Sequence, residues 1–253
     1  MSGENGNWLL VLGAASDIAR AASRTFARHG WNLYLASRST DDLERDASDI
    51  RLRFGVKVDV IFFDAVDFKS HIGFYNSLNP KPLVALIAFG YLGSSSCGDP
   101  LKLENNLEEI KKIVETNFLG GVSIAEVIAF DFSQRKAGTI IGISSVAGDR
   151  GKASNCVYGA SKSGMTAYLS GLRNKLFQYG VSVITIKPGY VRTKMTAGMA
   201  LPALLTADPE HVGESIWKAF KRKKDVVYVK GIWRLIMLIV RLIPEKVFKR
   251  LKV

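Results

Sequence analysis

Residues 7–19 read Asn-Trp-Leu-Leu-Val-Leu-Gly-Ala-Ala-Ser-Asp-Ile-Ala: an apolar run, a turn of small residues and the start of a helix. The run is short and no basic segment precedes it, so it predicts a buried strand rather than a signal peptide. Such a turn lets the backbone approach a pyrophosphate, because the first N–H groups of a helix are free. Gly13, Ser16, Asp17 and Ile18 are therefore candidate dinucleotide-binding residues. A tight strand-to-helix turn without a ligand is the alternative for this stretch alone.

The same alternation of apolar runs and amphipathic stretches continues along the chain. The runs occupy 7–13, 31–37, 56–64, 82–90, 138–145, 180–189 and 225–229, with amphipathic stretches near 17–29, 40–54, 67–78, 104–135, 156–178 and 208–222. This pattern predicts an α/β fold with a doubly wound, Rossmann-type parallel sheet of about seven strands. Its ligand crevice should lie at the carboxyl ends of the strands. We predict one catalytic domain over 1–230 and a basic, apolar helical tail over 231–253.

Charge and cysteine content limit the classes of function. The net charge is +12, but residues 218–253 alone carry +10, so the first 217 residues are nearly neutral. A nucleic-acid surface across the fold is therefore not indicated, whereas a local contact of the tail with something anionic is. Cys97, Cys156 and the three histidines have no metal-ligand spacing. We therefore predict no metal site and no disulfide framework, and we expect a reducing, cytoplasmic compartment.

The end of the second run bears on the choice of cofactor. A carboxylate there would bind the ribose 2′-hydroxyl of NAD, whereas a 2′-phosphate needs a cation and hydroxyl donors. The sequence has Ser37 and Arg38 at this place, which favours NADP(H) over NAD(H), with a solvated arginine as the alternative. Asp64 ends the third run, where it can meet the adenine amino group or cap the helix that follows.

The strongest functional pattern is an apolar run that ends in Ser145 and is followed by Tyr158-Gly-Ala-Ser-Lys162 on a long helix. Residues four apart share one helix face, so the ammonium of Lys162 is expected to lower the pKa of the Tyr158 phenol from about 10. Such a phenol can exchange a proton with a carbonyl oxygen that Ser145 also hydrogen-bonds. Asn117 is a candidate to hold a water that relays the proton from Lys162.

Taken together, these residues resemble the short-chain dehydrogenase/reductase family, classical type, over about residues 7–230. The matching pieces are the Gly13 turn, Asp64, Asn117, Ser145, Tyr158-x-x-x-Lys162 and Pro188-Gly189-Tyr190-Val191-Arg192-Thr193. The resemblance implies that the chain runs beside the nicotinamide at Pro188 and Gly189. It also implies that Val191 contacts the nicotinamide amide, Thr193 the phosphates, and Lys162 the nicotinamide ribose.

Two motifs depart from the family pattern. Asp17 and Ala19 stand where glycines are usual, and an Asn-Asn-Ala-Gly motif is replaced by Ile-Ala-Phe-Gly over 87–90. Only Gly90 of that motif remains, and we place it among the cofactor-binding residues. Both variants resemble the branch that contains decaprenylphosphoryl 2-keto-pentose reductases.

The tail has an apolar run much shorter than the roughly 20 residues that span a bilayer. Its basic residues Arg234, Arg241, Lys249 and Lys252 stand beside the apolar Trp233, Leu238, Ile239 and Phe248. This mixture indicates an interfacial helix on an anionic membrane surface, at the inner face of the membrane. Packing on its own domain, or in the interface of a homo-oligomer, is the alternative.

The leading hypothesis is an NADPH-dependent reductase of a keto group. Its substrate would be hydrophobic or lipid-linked, such as a keto-sugar or keto-lipid, and the segment 190–207 would cover an apolar pocket as a lid. Two alternatives are a non-catalytic NADP-sensing protein of the same fold and a membrane scaffold that functions through its basic tail.

Overall fold

The computed structural model describes residues 6–93 and 103–251. Its strands are β1 (Trp8–Leu12), β2 (Asn32–Ser37), β3 (Val58–Phe62), β4 (Val84–Ile87), β5 (Thr139–Ile143), β6 (Ser182–Lys187), β7 (Tyr190–Val191), β8 (Thr206–Ala207) and β9 (Val226–Tyr228). Its α-helices are α1 (Asp17–Arg28), α2 (Thr40–Phe54), α3 (His71–Ser77), α4 (Leu103–Val114), α5 (Gly120–Arg135), α6 (Cys156–Phe177), α7 (Pro209–Lys221), α8 (Ile232–Leu242) and α9 (Glu245–Phe248).

The main sheet of the described chain has seven parallel strands in the order β3-β2-β1-β4-β5-β6-β9. The predicted α/β, doubly wound sheet is therefore confirmed. Chain order reverses between β1 and β4, and a crevice opens at such a point beyond the carboxyl ends of the strands. A separate two-stranded ladder, β7 with β8, was not predicted. It is too short to leave a pattern in the sequence.

Helices cover both faces of the sheet, as the continuous apolar runs require. Leu9 and Val11 of β1 pack in one core cluster with Phe26 of α1, whereas Leu10 and Leu12 pack in a second cluster with α5 and α6. Alternate residues of a strand point to opposite faces, so a strand buried on both sides must be apolar throughout. All five residues of β1 are buried.

Several element bounds differ from the sequence prediction. The stretch 104–135 is not one α-helix, because α4 and α5 are joined by one turn of π-helix over Glu115–Leu119. Single π turns often mark functional sites, and this one contains Asn117. β4 ends at Ile87 although the apolar run continues to 90. The N–H of Ala88 still bonds the carbonyl of Leu12 at 2.9 Å, and the chain then leaves the sheet towards the crevice.

The C-terminal segment folds back on the body instead of extending from it. Trp233, Met237 and Phe248 are buried, whereas most other residues of α8 and α9 are exposed. The prediction that Trp233 and Phe248 face lipid headgroups is therefore wrong. Their rings pack on loops of the body, and the other face of the segment meets solvent. Lys252 lies outside the described residues.

Candidate active site

The turn after β1 sits at the reversal point of the sheet. Gly13 has φ +80, a conformation that glycine adopts without strain. A Cβ on Gly13 would lie 2.6 Å from the backbone nitrogen of Phe89, so the position also needs glycine for space. Ser16 caps α1, since its Oγ accepts a hydrogen bond from the N–H of Ala19 at 3.2 Å. The one glycine kept in this motif is thus the one that the backbone requires.

Asp17 is the least expected residue of the turn, because an acid beside a pyrophosphate would be repulsive. Its carboxylate is engaged elsewhere: Oδ2 accepts the N–H of Lys194 at 2.7 Å. This contact ties α1 to the start of the segment 194–205. The backbone of Asp17 remains part of the first turn of α1, whose positive dipole favours a phosphate.

The crevice has two joined parts. A cavity of about 840 Å³ is lined by the predicted adenine-side residues Gly13, Ser37, Arg38 and Asp64. A second cavity, of about 410 Å³, is lined by the predicted nicotinamide-side and catalytic residues Ser16, Asp17, Ile18, Ser145, Tyr158, Lys162, Pro188, Gly189, Val191 and Thr193. Gly90, Phe89, Ala15 and Ser16 line both. The structure therefore brings every predicted cofactor-binding residue to one continuous crevice.

At the adenine side, Arg38 is exposed, and no side chain of the described residues bonds its guanidinium. The Oγ of Ser37 accepts the N–H of Ser39 at 3.4 Å and stays at the cavity wall. Asp64 caps the turn after β3, because its Oδ1 accepts the N–H of Val66 at 3.1 Å. Its second oxygen remains available to a ligand in the cavity.

The predicted catalytic residues meet where β5 ends and α6 begins. Lys162 is 4% exposed, and its Nζ donates to the carbonyl of Ile143 at 3.1 Å. Ser145 is the second residue after β5, and its Oγ accepts the N–H of Ala147 at 3.1 Å. Ser145 is also near enough to the phenol of Tyr158 to lower its pKa. The three side chains line one cavity, so they can act on one bound atom.

Burial, rather than the charge of the lysine, has the largest effect on the pKa values of Tyr158 and Lys162. It raises the pKa of Tyr158 to about 12, and the nearby hydroxyl of Ser145 only partly opposes this. Burial also lowers the pKa of Lys162 to about 8. The prediction that the ammonium lowers the pKa of the phenol is therefore wrong for this arrangement. Nζ lies 5.8 Å from the centre of the Tyr158 ring, and the loss of water outweighs its attraction.

Asn117 is buried behind this site and does not line either cavity. Its Oδ1 accepts the N–H of Tyr91 at 2.6 Å, and its Nδ2 donates to the carbonyl of Tyr91 at 2.8 Å and to Oγ of Ser161 at 3.1 Å. A Cβ on Gly90 would lie 3.3 Å from both Asn117 Oδ1 and Lys162 Nζ. Asn117 thus holds the loop after β4, where the sequence lacks the usual asparagines, and keeps that loop against Lys162.

Several lining residues were not predicted as site residues. They are Lys152, Ser154, Asn155, Thr196 and Trp233. Of these, the Oδ1 of Asn155 is buried with no hydrogen-bond partner among the described residues. The sequence does not identify them, because they lie in loops and in the tail, where residue spacing does not predict which side chains meet.

A sheet crevice of this form, with a serine, a tyrosine and a lysine at one end, defines a dinucleotide-dependent oxidoreductase. The family model for short chain dehydrogenases matches residues 7–201. An uncharacterized oxidoreductase in the mprA 5′ region of Streptomyces coelicolor is 32% identical over 246 residues, which cover 97% of this chain and 96% of that protein. The chain therefore belongs to the short-chain dehydrogenase family and is an NAD(P)-dependent oxidoreductase.

Two further proteins are similar over most of their length. Carbonyl reductase family member 4 of Danio rerio is 27% identical over 202 residues, covering 79% of this chain and 82% of that protein. A short-chain dehydrogenase from Sphingobium yanoikuyae, solved in complex with NADPH, superposes with a TM-score of 0.79 at 21% identity. That alignment covers 94% of this chain and 97% of the other, and it shows the shared fold.

The residues present fit a dinucleotide. The crevice runs from Arg38 past the first turn of α1 to Tyr158, and its two parts share Ala15, Ser16, Phe89 and Gly90 at their junction. Donors for phosphate lie at α1, and Asp17, the acid nearest to them in sequence, is bonded to the N–H of Lys194.

Proposed function

We propose that the protein is an NADPH-dependent carbonyl reductase, which also works in reverse as an alcohol dehydrogenase. The observation that carries the proposal is the convergence of Ser145, Tyr158 and Lys162 on one cavity. The relative named as a carbonyl reductase supports the same reaction type. An NADP-sensing protein would have no need of these three side chains.

The chain's own residues supply the proton and hold the carbonyl. A bound nicotinamide supplies the hydride. Tyr158, protonated at neutral pH because its pKa is raised to about 12, donates its proton to the substrate oxygen. Ser145 hydrogen-bonds the same oxygen and stabilises its developing negative charge. Lys162 is the source of the proton that restores the phenol, and Asn117 supports this step by holding the loop after β4 against Lys162.

The test removes the hydroxyl of Tyr158, the proposed proton donor. Tyr158→Phe should lose at least about a hundredfold in kcat for ketone reduction, because general acid catalysis contributes about 10²–10⁴. Its dissociation constant for NADPH should stay within about threefold. Tyr168→Phe is the matched control, since Tyr168 lies on the same helix but bonds Glu126 outside the cavity. Full reductase activity in Tyr158→Phe would refute the mechanism. NADPH binding without turnover of any ketone by the wild type would favour a sensor.

We propose that NADPH is preferred over NADH. The exposed Arg38 has no partner among the described residues and lines the adenine-side cavity with Ser37, a pair suited to a 2′-phosphate. The similar structure in complex with NADPH supports the same choice.

We also propose a hydrophobic or lipid-linked keto substrate, such as a keto-sugar or keto-lipid. The nicotinamide-side cavity is mainly apolar, with Leu92, Met195, Met199 and Trp233 in its wall. Met195 and Met199 belong to the segment 190–207, which fits a lid. The branch that contains decaprenylphosphoryl 2-keto-pentose reductases acts on substrates of this class, and the variant motifs over 13–19 and 87–90 support that placement.

We propose that α8 lies on an anionic membrane, at the cytoplasmic face of that membrane. Leu238 and Ile239 are 55% and 57% exposed, and Leu235 and Leu242 are also exposed. Arg234 and Arg241 of the same helix are exposed on one flank of this apolar face, which suits anionic headgroups. Leu238→Ser with Ile239→Ser should lose sedimentation with phosphatidylglycerol vesicles, whereas Leu52→Ser, exposed on α2, should not. Equal sedimentation of both variants would contradict membrane binding.

We propose a homo-oligomer that forms through exposed aromatic residues of α5 and α6. One helical stretch of the described chain, Leu107–Arg135, is long and apolar enough to cross a membrane by length and composition. Ile128 and Phe132 of this stretch are fully buried, so we interpret it as a core helix. Phe130 on α5 and Phe177 on α6 are 71% and 83% exposed, which suits a subunit interface. Light scattering after Phe130→Ser with Phe177→Ser should show a smaller particle than the wild type.

A further inference from the structure

Trp233 is the residue of the C-terminal segment that reaches the candidate active site. It is 5% exposed, although its neighbours Ile232 and Leu235 on α8 are exposed. Its indole lines the same cavity of about 410 Å³ as Ser145 and Tyr158. A tail that served only as an anchor would not need a large aromatic side chain at this place.

The indole packs directly on the turn that follows β6. A Cβ on Gly189 would lie 2.0 Å from Cε2 and Nε1 of Trp233, so the ring fills the space that any side chain at 189 would use. The ring also meets Tyr190 edge to face, with centroids 5.5 Å apart. Its Nε1 donates to the carbonyl of Leu205 at 3.0 Å. One side chain therefore joins the turn after β6, the segment 194–205 and α8.

Contacts at both ends of the segment hold the indole in position. Before α8, the Nζ of Lys230 donates to the carbonyl of Leu204 at 2.9 Å. At α9, the guanidinium of Arg150 bonds Glu245 at 2.7 Å and lies 4.2 Å from the centre of the Phe248 ring. Arg150 follows Ser145 by five residues, so the tail is fixed to the loop of the proposed catalytic serine.

A buried polar cluster also holds the loop that contains Arg150. Asp149 accepts hydrogen bonds from the Nζ of Lys187 at 2.5 Å and from the phenol of Tyr228 at 2.7 Å. Both side chains of the Lys187–Asp149 pair are less than 10% exposed. Separating this pair would leave an uncompensated buried charge, so the pair fixes the position of Asp149 and of the neighbouring Arg150.

We propose that Trp233 is a specificity-determining residue that sets the size and shape of the group the cavity accepts beside the reacting carbonyl. This inference rests on the proposed carbonyl reduction. The tail is then a fixed wall of the substrate cavity as well as a membrane contact. An indole face is flat and apolar, so it selects ketones whose larger substituent is planar or slender and rejects branched ones.

The experiment compares ketones of graded bulk on full-length variants. Trp233→Ala enlarges the cavity and should raise kcat/KM for a branched aryl ketone relative to acetophenone by about tenfold, the scale at which hydrophobic pockets discriminate. Trp233→Phe removes the hydrogen bond to Leu205 but keeps a ring, so its selectivity should change less than threefold. Trp217→Phe is the control, because Trp217 packs on Phe26 in the core. An unchanged ratio in Trp233→Ala, with NADPH binding intact, would overturn the proposal.

A second readout does not depend on turnover. Bound acetophenone should quench the tryptophan emission of the wild type and of Trp217→Phe, and the quenching should fall at least twofold in Trp233→Phe. Equal quenching in all three proteins would show that Trp233 does not contact the ligand. A wild type that binds and quenches but reduces no ketone would refute the proposed function while leaving Trp233 in the cavity wall.

Discussion

Lys162 is buried at a cost to folding that can be measured. The residue is 4% exposed, and its ammonium donates one hydrogen bond within the described chain, to the carbonyl of Ile143 at 3.1 Å. Burial lowers its pKa from 10.5 to about 8. Lys162→Met replaces the charge with an apolar chain of similar length, so the variant should fold more stably at neutral pH while it loses reductase activity.

The magnitude follows from the pKa change. Each pKa unit is about 1.4 kcal/mol, so a charged Lys162 costs the folded state about 3 kcal/mol at pH 7. Lys162→Met also loses the hydrogen bond to Ile143, which costs the variant about 1 kcal/mol. The variant's free energy of unfolding should therefore rise by about 2 kcal/mol. Above pH 8 the folded wild type sheds its proton while the unfolded chain keeps it until about pH 10.5. Wild-type stability therefore rises with pH in this window.

The variant's advantage should accordingly shrink by about 1 kcal/mol between pH 7 and pH 9. Urea unfolding followed by circular dichroism at pH 7, 8 and 9 measures it, with comparable m-values as a check. Other titrating groups are shared by the two proteins and cancel in the difference. Lys175→Met, on the exposed part of the same helix, should show no such change. A Lys162→Met advantage that is constant from pH 7 to 9 would refute the buried, charged lysine.

Three other predictions concern the same crevice. Reduction should be nearly constant in kcat/KM below pH 8 and decline above it, as Lys162 loses its proton; a profile flat to pH 10 would exclude its participation. Arg38→Ala should lower the ratio of kcat/KM for NADPH over NADH at least tenfold, since a charged hydrogen bond contributes about 1.5–3 kcal/mol; an unchanged ratio would assign the 2′-phosphate elsewhere. Asn117→Ala should lower the free energy of unfolding by about 3 kcal/mol in urea, because it removes the three hydrogen bonds that Asn117 makes with the backbone of Tyr91 and with Ser161, and a loss below 1 kcal/mol would contradict that role.

Much of the fold follows from local pattern in the sequence. β1 is apolar at every position because both of its faces are buried, and Gly13 ends it where a positive φ and a close contact are both required. Such patterns depend on a few neighbouring residues, so they can be recognised from the sequence alone. The same holds for Tyr158 and Lys162, whose four-residue spacing places them on one helix face.

The electrostatics of the site could not be predicted in this way. Spacing showed that Lys162 is near Tyr158, but the pKa of each depends on how much water the fold removes from both. Desolvation, which spacing does not show, decides the sign of both pKa shifts. Only the packed structure shows this desolvation, and it leaves the phenol protonated at neutral pH.

The tail shows the same limit, because its two faces cannot be told apart in the sequence. Its sequence mixes aromatic, aliphatic and basic residues, a composition equally suited to packing inwards or to lying on lipid. The structure divides the roles by helix face: Trp233 and Met237 point into the body, and Leu238 and Ile239 point out. Deleting residues 231–253 would therefore remove a wall of the cavity along with the outer face. Only substitutions confined to the outer face can separate membrane binding from catalysis, since they leave the indole on Gly189 and the hydrogen bond to Leu205 in place.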